Sequence, residues 1–416
     1  MSTLATAARP VTRLSTPKAV GWLSILLGFV AAWVALPPIH SRGFGWSVVF
    51  GILSLAAAIF SVTRGGGRVG WGGVAAAFVG MSAGIAATQS SVGNLDLVFG
   101  WSVLLGATLR YATPLTFASL GGLFSESSGV VNIALEGMML IGAFFGFWGA
   151  DHFNSWELGL VCAMVSGIAL AAVHAFFCIN LRADQIVVGT GINFLALGIT
   201  GYAFVDIYGP QGSPTDVPLV TSPDLGWLDH IPDVNIGPVG FGGSFLAGVF
   251  GDLNWMIWLS FVALILSYIV LFRTSLGLRI RAVGEHPRAA DTVGISVYGI
   301  RWGAVLTSGA LAALGGAYLS VADVGLFDQN LTGGRGFIAL AALIFGNWRP
   351  FGAFAACLLF GFSLAIADRV SAYFEQGSST PYVFNTLPYI LTLIAVAGVI
   401  GRSTPPAADG KPYVKQ

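Results

Sequence analysis

The sequence predicts an all-α fold, a polytopic transmembrane helix bundle of about 10–12 spans. Composition is the first reason. Of 416 residues, 55% are hydrophobic and 9% charged, against roughly 25% charged in an average soluble chain, so most of the length does not face water. Run length is the second. Crossing the hydrocarbon takes roughly 20 apolar residues, and inside lipid every backbone N–H needs an internal partner, so long apolar runs become helices. Such runs lie at 20–36, 44–62, 69–87, 97–124, 131–150, 157–180, 186–207, 254–272, 299–322, 336–348, 350–367 and 384–400.

The first run follows Arg9, Arg13 and Lys18 and so imitates a secretory signal. It is long for one, and no small-x-small site precedes Pro37 and Pro38, so an uncleaved helix is expected. The fourth run is too long for one straight helix and holds Arg110 and Pro114, while the tenth is short and follows Gly333, Gly334 and Gly336. Both read as broken or half-crossing helices, which survive in a membrane only where protein or a water-filled cavity shelters their freed backbone groups.

Orientation follows the basic residues of the short loops. Arg9, Arg13, Lys18, Arg64, Arg68, Arg182, Arg273, Arg279, Arg281, Arg288, Arg402, Lys411 and Lys415 fall on one side, with Arg42 and Arg335 as exceptions. Residues 208–254 contain no Lys or Arg. Both termini are therefore expected in the cytoplasm of a multi-pass cell-membrane protein. The expected organisation is a cytoplasmic tail at 1–18, an extension with extra spans at 19–90, a main transmembrane domain at 95–400 and a cytoplasmic tail at 401–416. Within the main domain, 208–253 is an external loop, too rich in Pro and Asp to cross, and 273–298 is a cytoplasmic loop. Two sets of five spans, 69–207 and 254–400, run in opposite directions, which suggests an inverted repeat.

Several function classes are excluded. Net charge is zero, so no basic stripe exists to neutralise nucleic-acid phosphates. Cys162, Cys178 and Cys357 lie in apolar runs without CxxC spacing, as small buried side chains do. The only lysines are Lys18, Lys411 and Lys415, so no phosphate-binding Walker loop is present. HExxH and GxSxG are also missing, and His40, His152, His174, His230 and His286 are scattered. The chain reads as a non-enzyme, with no metal site and no cofactor of its own.

The most informative loop is 277–301, GLRIRAVGEHPRAADTVGISVYGIR. Pro287 stands as a first helical residue and Gly294 as a terminator, leaving a helix of about two turns. Its small Ala289 and Ala290 beside charged Glu285, Arg288 and Asp291 suit a surface gripped by another protein. A plain amphipathic connector at the membrane surface fits the same spacing. A second segment is 110–144, RYATPLTFASLGGLFSESSGVVNIALEGMMLIGAF, and a third is 334–353, GRGFIALAALIFGNWRPFGA.

These segments resemble the permeases of the branched-chain amino acid, simple sugar and nucleoside class of ABC importers. Val283, Gly284, Glu285, His286, Pro287, Arg288, Ala289, Ala290, Gly294 and Ile295 are similar to that family's coupling loop, with His286 where asparagine is usual. The second segment is similar to the nucleoside-type branch, with Ser127 and Ser128 in place of the usual Arg-Ala. The third, and a tail with Pro405 and Tyr413, also resemble the family. The likeness covers roughly 95–413, and three ordered motifs are more specific than one. It implies a permease that couples to a separate ABC ATPase, which holds ATP and magnesium. It also implies an extracytoplasmic binding protein, a nucleoside or simple-sugar cargo, and a second permease, as a rule a different chain but otherwise a second copy.

Candidates for the substrate path are Asn132, Glu136, Trp148, Asn193, Phe194 and Tyr202. Asn132 and Glu136 are four apart, so they share one face of a helix that begins near the cytoplasmic surface. A carboxylate facing lipid is costly, so Glu136 points inward, either as a tie between helices or as part of the path. Asn193 with Phe194, and Trp148 with Tyr202, offer the amides and aromatic faces a nucleoside would want, though aromatics in such helices also pack or face lipid. Gly142 and Gly146 are spaced for close helix packing. Asp323, Asp328, Gln329, Asn330 and Arg335 gather in an outer loop or gate. The rival readings are an ion-gradient-driven transporter, for which Glu136 is nearly the only titratable candidate, and a channel-like subunit.

Overall fold

A computed structural model describes residues 16–35, 44–89, 100–209, 212–232, 234–236, 239–373 and 404–415. The expected span at 384–400 lies outside them. The described chain forms two compact units.

The first unit holds α1 (Thr16–Trp33), α2 (Gly45–Thr63) and α3 (Arg68–Gln89), which pack on one another. Small and hydroxyl residues let them approach: Ser24 and Ser54 each donate a hydroxyl to the other's carbonyl at 2.7 Å. Such pairs give direction to helix contacts that hydrophobicity alone cannot drive in lipid. α3, expected to open the first set of five spans, packs instead with α1 and α2, so 69–207 is not one packing unit.

The second unit holds α4 (Trp101–Ser127), α5 (Leu135–Phe153), α6 (Trp156–Ala175) and α7 (Gln185–Tyr208), then α8 (Gly243–Phe250), α9 (Trp255–Arg273), α10 (Ser275–Glu285) and α11 (Pro287–Thr292), then α12 (Val297–Ala317), α13 (Arg335–Phe345) and α14 (Pro350–Tyr373). Short π turns extend α6 over Phe176–Asn180 and α12 over Tyr318–Asp323. Starts follow side-chain caps: Ser155, Asp184, Asn254, Thr274 and Ser296 each accept an N–H from the first turn of the following helix.

Seven described helices are long and apolar enough to cross a membrane: α1, α2, α6, α7, α9, α12 and α14. α3, α4 and α5, with 22, 27 and 19 residues, are also of crossing length but richer in Gly, Ser and polar side chains. α4 continues through Pro114. α13, at 11 residues, is about 16 Å long and half-crosses at most. The stretch 208–253 is more structured than a loop: its apolar end forms α8, and Val234–Ile236 pairs with Val239–Phe241 in a two-stranded ribbon.

α5 is the core of the second unit, buried along most of its length. A Cβ on Gly142 would collide with the Ala313 backbone, and one on Gly146 would sit 2.9 Å from the Ala317 side chain. From the other side, Gly316 of α12 leaves no room for a Cβ against Met139. The two helices therefore touch backbone to backbone, which is how bundles bury area when lipid is as apolar as leucine.

Candidate functional site

Between α4 and α5 the chain re-enters the bundle as non-helical backbone. Gly129, at φ +87°, turns it beside the Arg301 guanidinium, and Asn132 reaches Ser308, two turns further along α12. The Ser128, Gly129 and Val130 amides donate to carbonyls at the end of α4, and further freed backbone groups find side chains. The Val131 amide donates to Gln185 Oε1 at 2.7 Å, and its carbonyl lies 3.1 Å from His174 Nε2. A carbonyl only accepts, so that nitrogen carries the proton. The Val130 carbonyl accepts from Ser125 Oγ at 2.7 Å, and the Ile133 carbonyl from Asn193 Nδ2 at 3.0 Å.

This corrects the placement of Asn132. It lies in the turn before α5, so it shares no helix face with Glu136. Its Oδ1 accepts the Ala134 amide at 3.1 Å and its Nδ2 donates to Ser308 Oγ at 2.8 Å. The left-handed glycine and the bonded valines stop the helix from extending back to it.

Glu136, in the first turn of α5, is 8% exposed. Its Oε1 accepts from Thr332 Oγ1 at 2.6 Å and the Gly334 amide at 2.8 Å, and its Oε2 from the Gly336 amide at 2.6 Å. The carboxylate thus caps the N-terminus of α13 from another helix, meeting free N–H groups and the positive end of the helix dipole together. The loop holding Asp328 and Asn330 is anchored to the bundle by this contact.

Glu136, Asn193, Phe194, Asn330, Gly334 and Phe337 line a cleft of about 300 Å³. It brings together three of the six path candidates. Asn193 is partly committed, its Oδ1 accepting the Gly137 amide at 2.8 Å, while Phe194 is 71% exposed. Trp148 and Tyr202 do not line this cleft. Trp148 stacks on His152 at 5.1 Å between ring centroids, and Tyr202 lies outward on α7, 73% exposed.

A second constellation surrounds α11. Pro287 opens this helix and Gly294, at φ +82°, follows its end. Glu285, His286, Arg288 and Ala289 are exposed, whereas Gly284 and Ala290 are buried. Gly284 abuts the Ser127 carbonyl at the end of α4 so closely that no side chain would fit. Ala290 packs with Val283, Val297 and Tyr413. Residues 404–415 lie against this helix, the Ala408 amide donating to the Gly284 carbonyl at 2.8 Å. Burial pushes the Asp409 carboxyl up to about 7, against the opposing pull of the Gly410 amide and the Arg301 guanidinium.

Sequence reasoning missed a further pair. Glu126, at the end of α4, accepts from Trp348 Nε1 at 2.6 Å. Asn347 and Trp348, both at φ +52°, turn the chain from α13 into α14. The available signal was a carboxylate in an apolar run and an indole in a Gly-x-Trp-x-Pro turn, 222 residues apart. Among the described residues, no three His, Cys, Asp or Glu side chains gather as metal ligands would.

Residues 104–396 match the family model described as branched-chain amino acid transport system, permease component. The chain belongs to this family. Its members are transport components rather than enzymes, and with its apolar helices this permease is an integral membrane protein. It is 43% identical over 331 residues to a guanosine ABC transporter permease of Bacillus subtilis, covering 77% of this chain and 99% of the relative. It is 38% identical over 330 residues to a nucleoside ABC transporter permease of Lactococcus lactis, with the same coverage. A putative glucose ABC transporter permease of Haloferax volcanii is 35% identical over 317 residues, 72% of this chain and 92% of the relative. No solved structure matches.

Proposed function

We propose that this permease forms the membrane path of an ABC importer for nucleosides, with simple sugars the next candidate, and that residues 284–294 are its handle for a separate ATPase. The observation that carries the reading is α11: a six-residue helix with Ala289 outward and Ala290 seated in the body. A push on such a helix reaches α4 through the Gly284 contact and α12 through Ala290. ATP and magnesium belong to the partner ATPase. The cycle also uses an extracytoplasmic binding protein and a second permease, a different chain by family resemblance or else a second copy. In this reading both termini and α11 face the cytoplasm of the cell membrane.

Cargo follows the relatives, of which the two with highest identity here carry nucleoside or guanosine in their names. The cleft beside Asn193 and Phe194 offers an amide and an aromatic face, groups that suit a base and a ribose. A gradient-driven carrier fits less well, because Glu136, the carboxylate it would titrate, accepts three hydrogen bonds.

The test is uptake of labelled nucleosides, pentoses and hexoses in cells expressing the ATPase and binding protein. Ala289→Trp is expected to reduce nucleoside uptake at least tenfold while membrane levels hold. Undiminished uptake in that variant counts against the handle, and exclusive uptake of sugars counts against the cargo.

A further inference from the structure

A chain end beyond the last helix stays loose unless something ties it down. Residues 404–415 are tied along their whole length. The Thr404 amide donates to Asn347 Oδ1 at 2.9 Å, and the Ala407 amide to Glu285 Oε2 at 3.3 Å. The Ala408 amide reaches the Gly284 carbonyl. Arg301 donates to the Lys411 carbonyl at 3.1 Å, and the Tyr298 hydroxyl to the Tyr413 carbonyl at 3.3 Å. The Tyr413 side chain, 7% exposed, fills the same small cluster as Ala290.

Arg301 explains why the tail belongs there. Among the described residues it is the largest fully buried side chain, 1% exposed, and a buried guanidinium without partners is strongly unfavourable. The tail supplies the Lys411 carbonyl, which accepts from Arg301 Nη1 at 3.1 Å. The strap and the charge beneath it are parts of one construction.

The outer side of the strap is open. Lys411 and Val414 are exposed and, with Glu285, His286, Arg288 and Ala289, line one cleft of about 550 Å³. One wall is α11 and the other is the tail. A six-residue helix is too short to be rigid alone. It is tied to the strap by Ala290 against Tyr413 and by Lys415 Nζ 3.9 Å from Asp291. The end of α10 just before it is bonded to the strap through Gly284 and Glu285, so helix and tail form two walls of one unit.

We propose that residues 404–415 are part of the docking surface for the ATP-hydrolysing subunit, which fills the cleft and grips tail and helix together. The inference rests on the reading of α11 as the ATPase handle. Continuity with α11 selects this occupant. Arg288 on one wall with Lys411 on the other, its Nζ also donating to the Ala407 carbonyl at 2.7 Å, sets two cations beside the carboxylate of Glu285 in the cleft lining, an excess suited to a carboxylate on the partner.

The experiment uses the full chain in membranes with the ATPase co-expressed. A photoreactive residue is placed at position 293, where Val293 is exposed just after α11, or at position 414, and association is measured separately for Lys411→Glu, whose site is exposed. Crosslinks to the ATPase from both positions are expected, with a loss of association of at least tenfold for Lys411→Glu at unchanged membrane level. A crosslink from 293 with none from 414, or association within twofold for Lys411→Glu, overturns this inference and leaves α11 as the handle. No crosslink from either position overturns the handle itself, and this inference with it.

Discussion

The polar side chains inside the second unit serve mainly to satisfy backbone. Gln185, His174, Asn193 and Ser125 each bond a group of the re-entrant segment, and Glu136 bonds the start of α13. In lipid an unpaired N–H costs several kcal/mol, so these residues are conditions of the fold. Glu136→Ala strands three donors and should cost about 3 kcal/mol, read as a fall in the thermal midpoint of the detergent-solubilised permease. A variant of full stability that has lost only uptake would instead place Glu136 among the substrate ligands. The inward carboxylate was legible, because lipid forbids the alternative. Its donors were not, since they lie 196–200 residues away. Asn132 was misread because four-residue spacing means a shared face only where the helix is unbroken. At Asp409 burial pushes the docked carboxyl up to about 7, against about 3.9 ordinarily. The docked state therefore favours the protonated form, and its advantage is lost as pH rises from about 4 through about 7. Hydrogen exchange at the Ala408 amide should accelerate over that window, and Asp409→Asn should flatten the profile.

At the scale of elements, the caps and breakers of α11 were readable because Pro287 and Gly294 act locally, through a missing N–H and a left-handed φ. The two anchors of α13 were not. One is Glu136 and the other is the Asn347-Trp348 turn, held by Thr404 and Glu126, and none of these partners is near it in sequence. The helix links the Asn193 cleft to the region of the tail. α8 was also hidden, because the prolines and aspartates before it dominate the composition of 208–253. Helix contacts were easier to foresee, since Gly142 and Gly146 repeat at the spacing that close packing needs. Gly316→Ala drives a methyl into the Met139 backbone and should cost about 1–3 kcal/mol. Thermal unfolding of the purified permease checks this, and a midpoint equal to the parent's would deny the contact between α5 and α12.

For the whole molecule, composition alone identified the solvent as a bilayer, and three ordered motifs identified the family. The packing of α3 with α1 and α2 was beyond that reach. Apolar runs show that helices exist but not which surfaces meet, and here small residues and paired serines make the choice. The family match begins at residue 104, after α3, so the family's part of the described chain lies in the second unit. That unit has the proposed handle, a tail bound beside it and a carboxylate already committed to holding a helix, a set of parts suited to an external motor. Labelled nucleoside uptake into vesicles carrying the permease, its ATPase and its binding protein tests this most directly. Uptake should require ATP and the ATPase and be indifferent to dissipation of the proton and sodium gradients. Uptake that persists without the ATPase and collapses with the gradients would contradict the account.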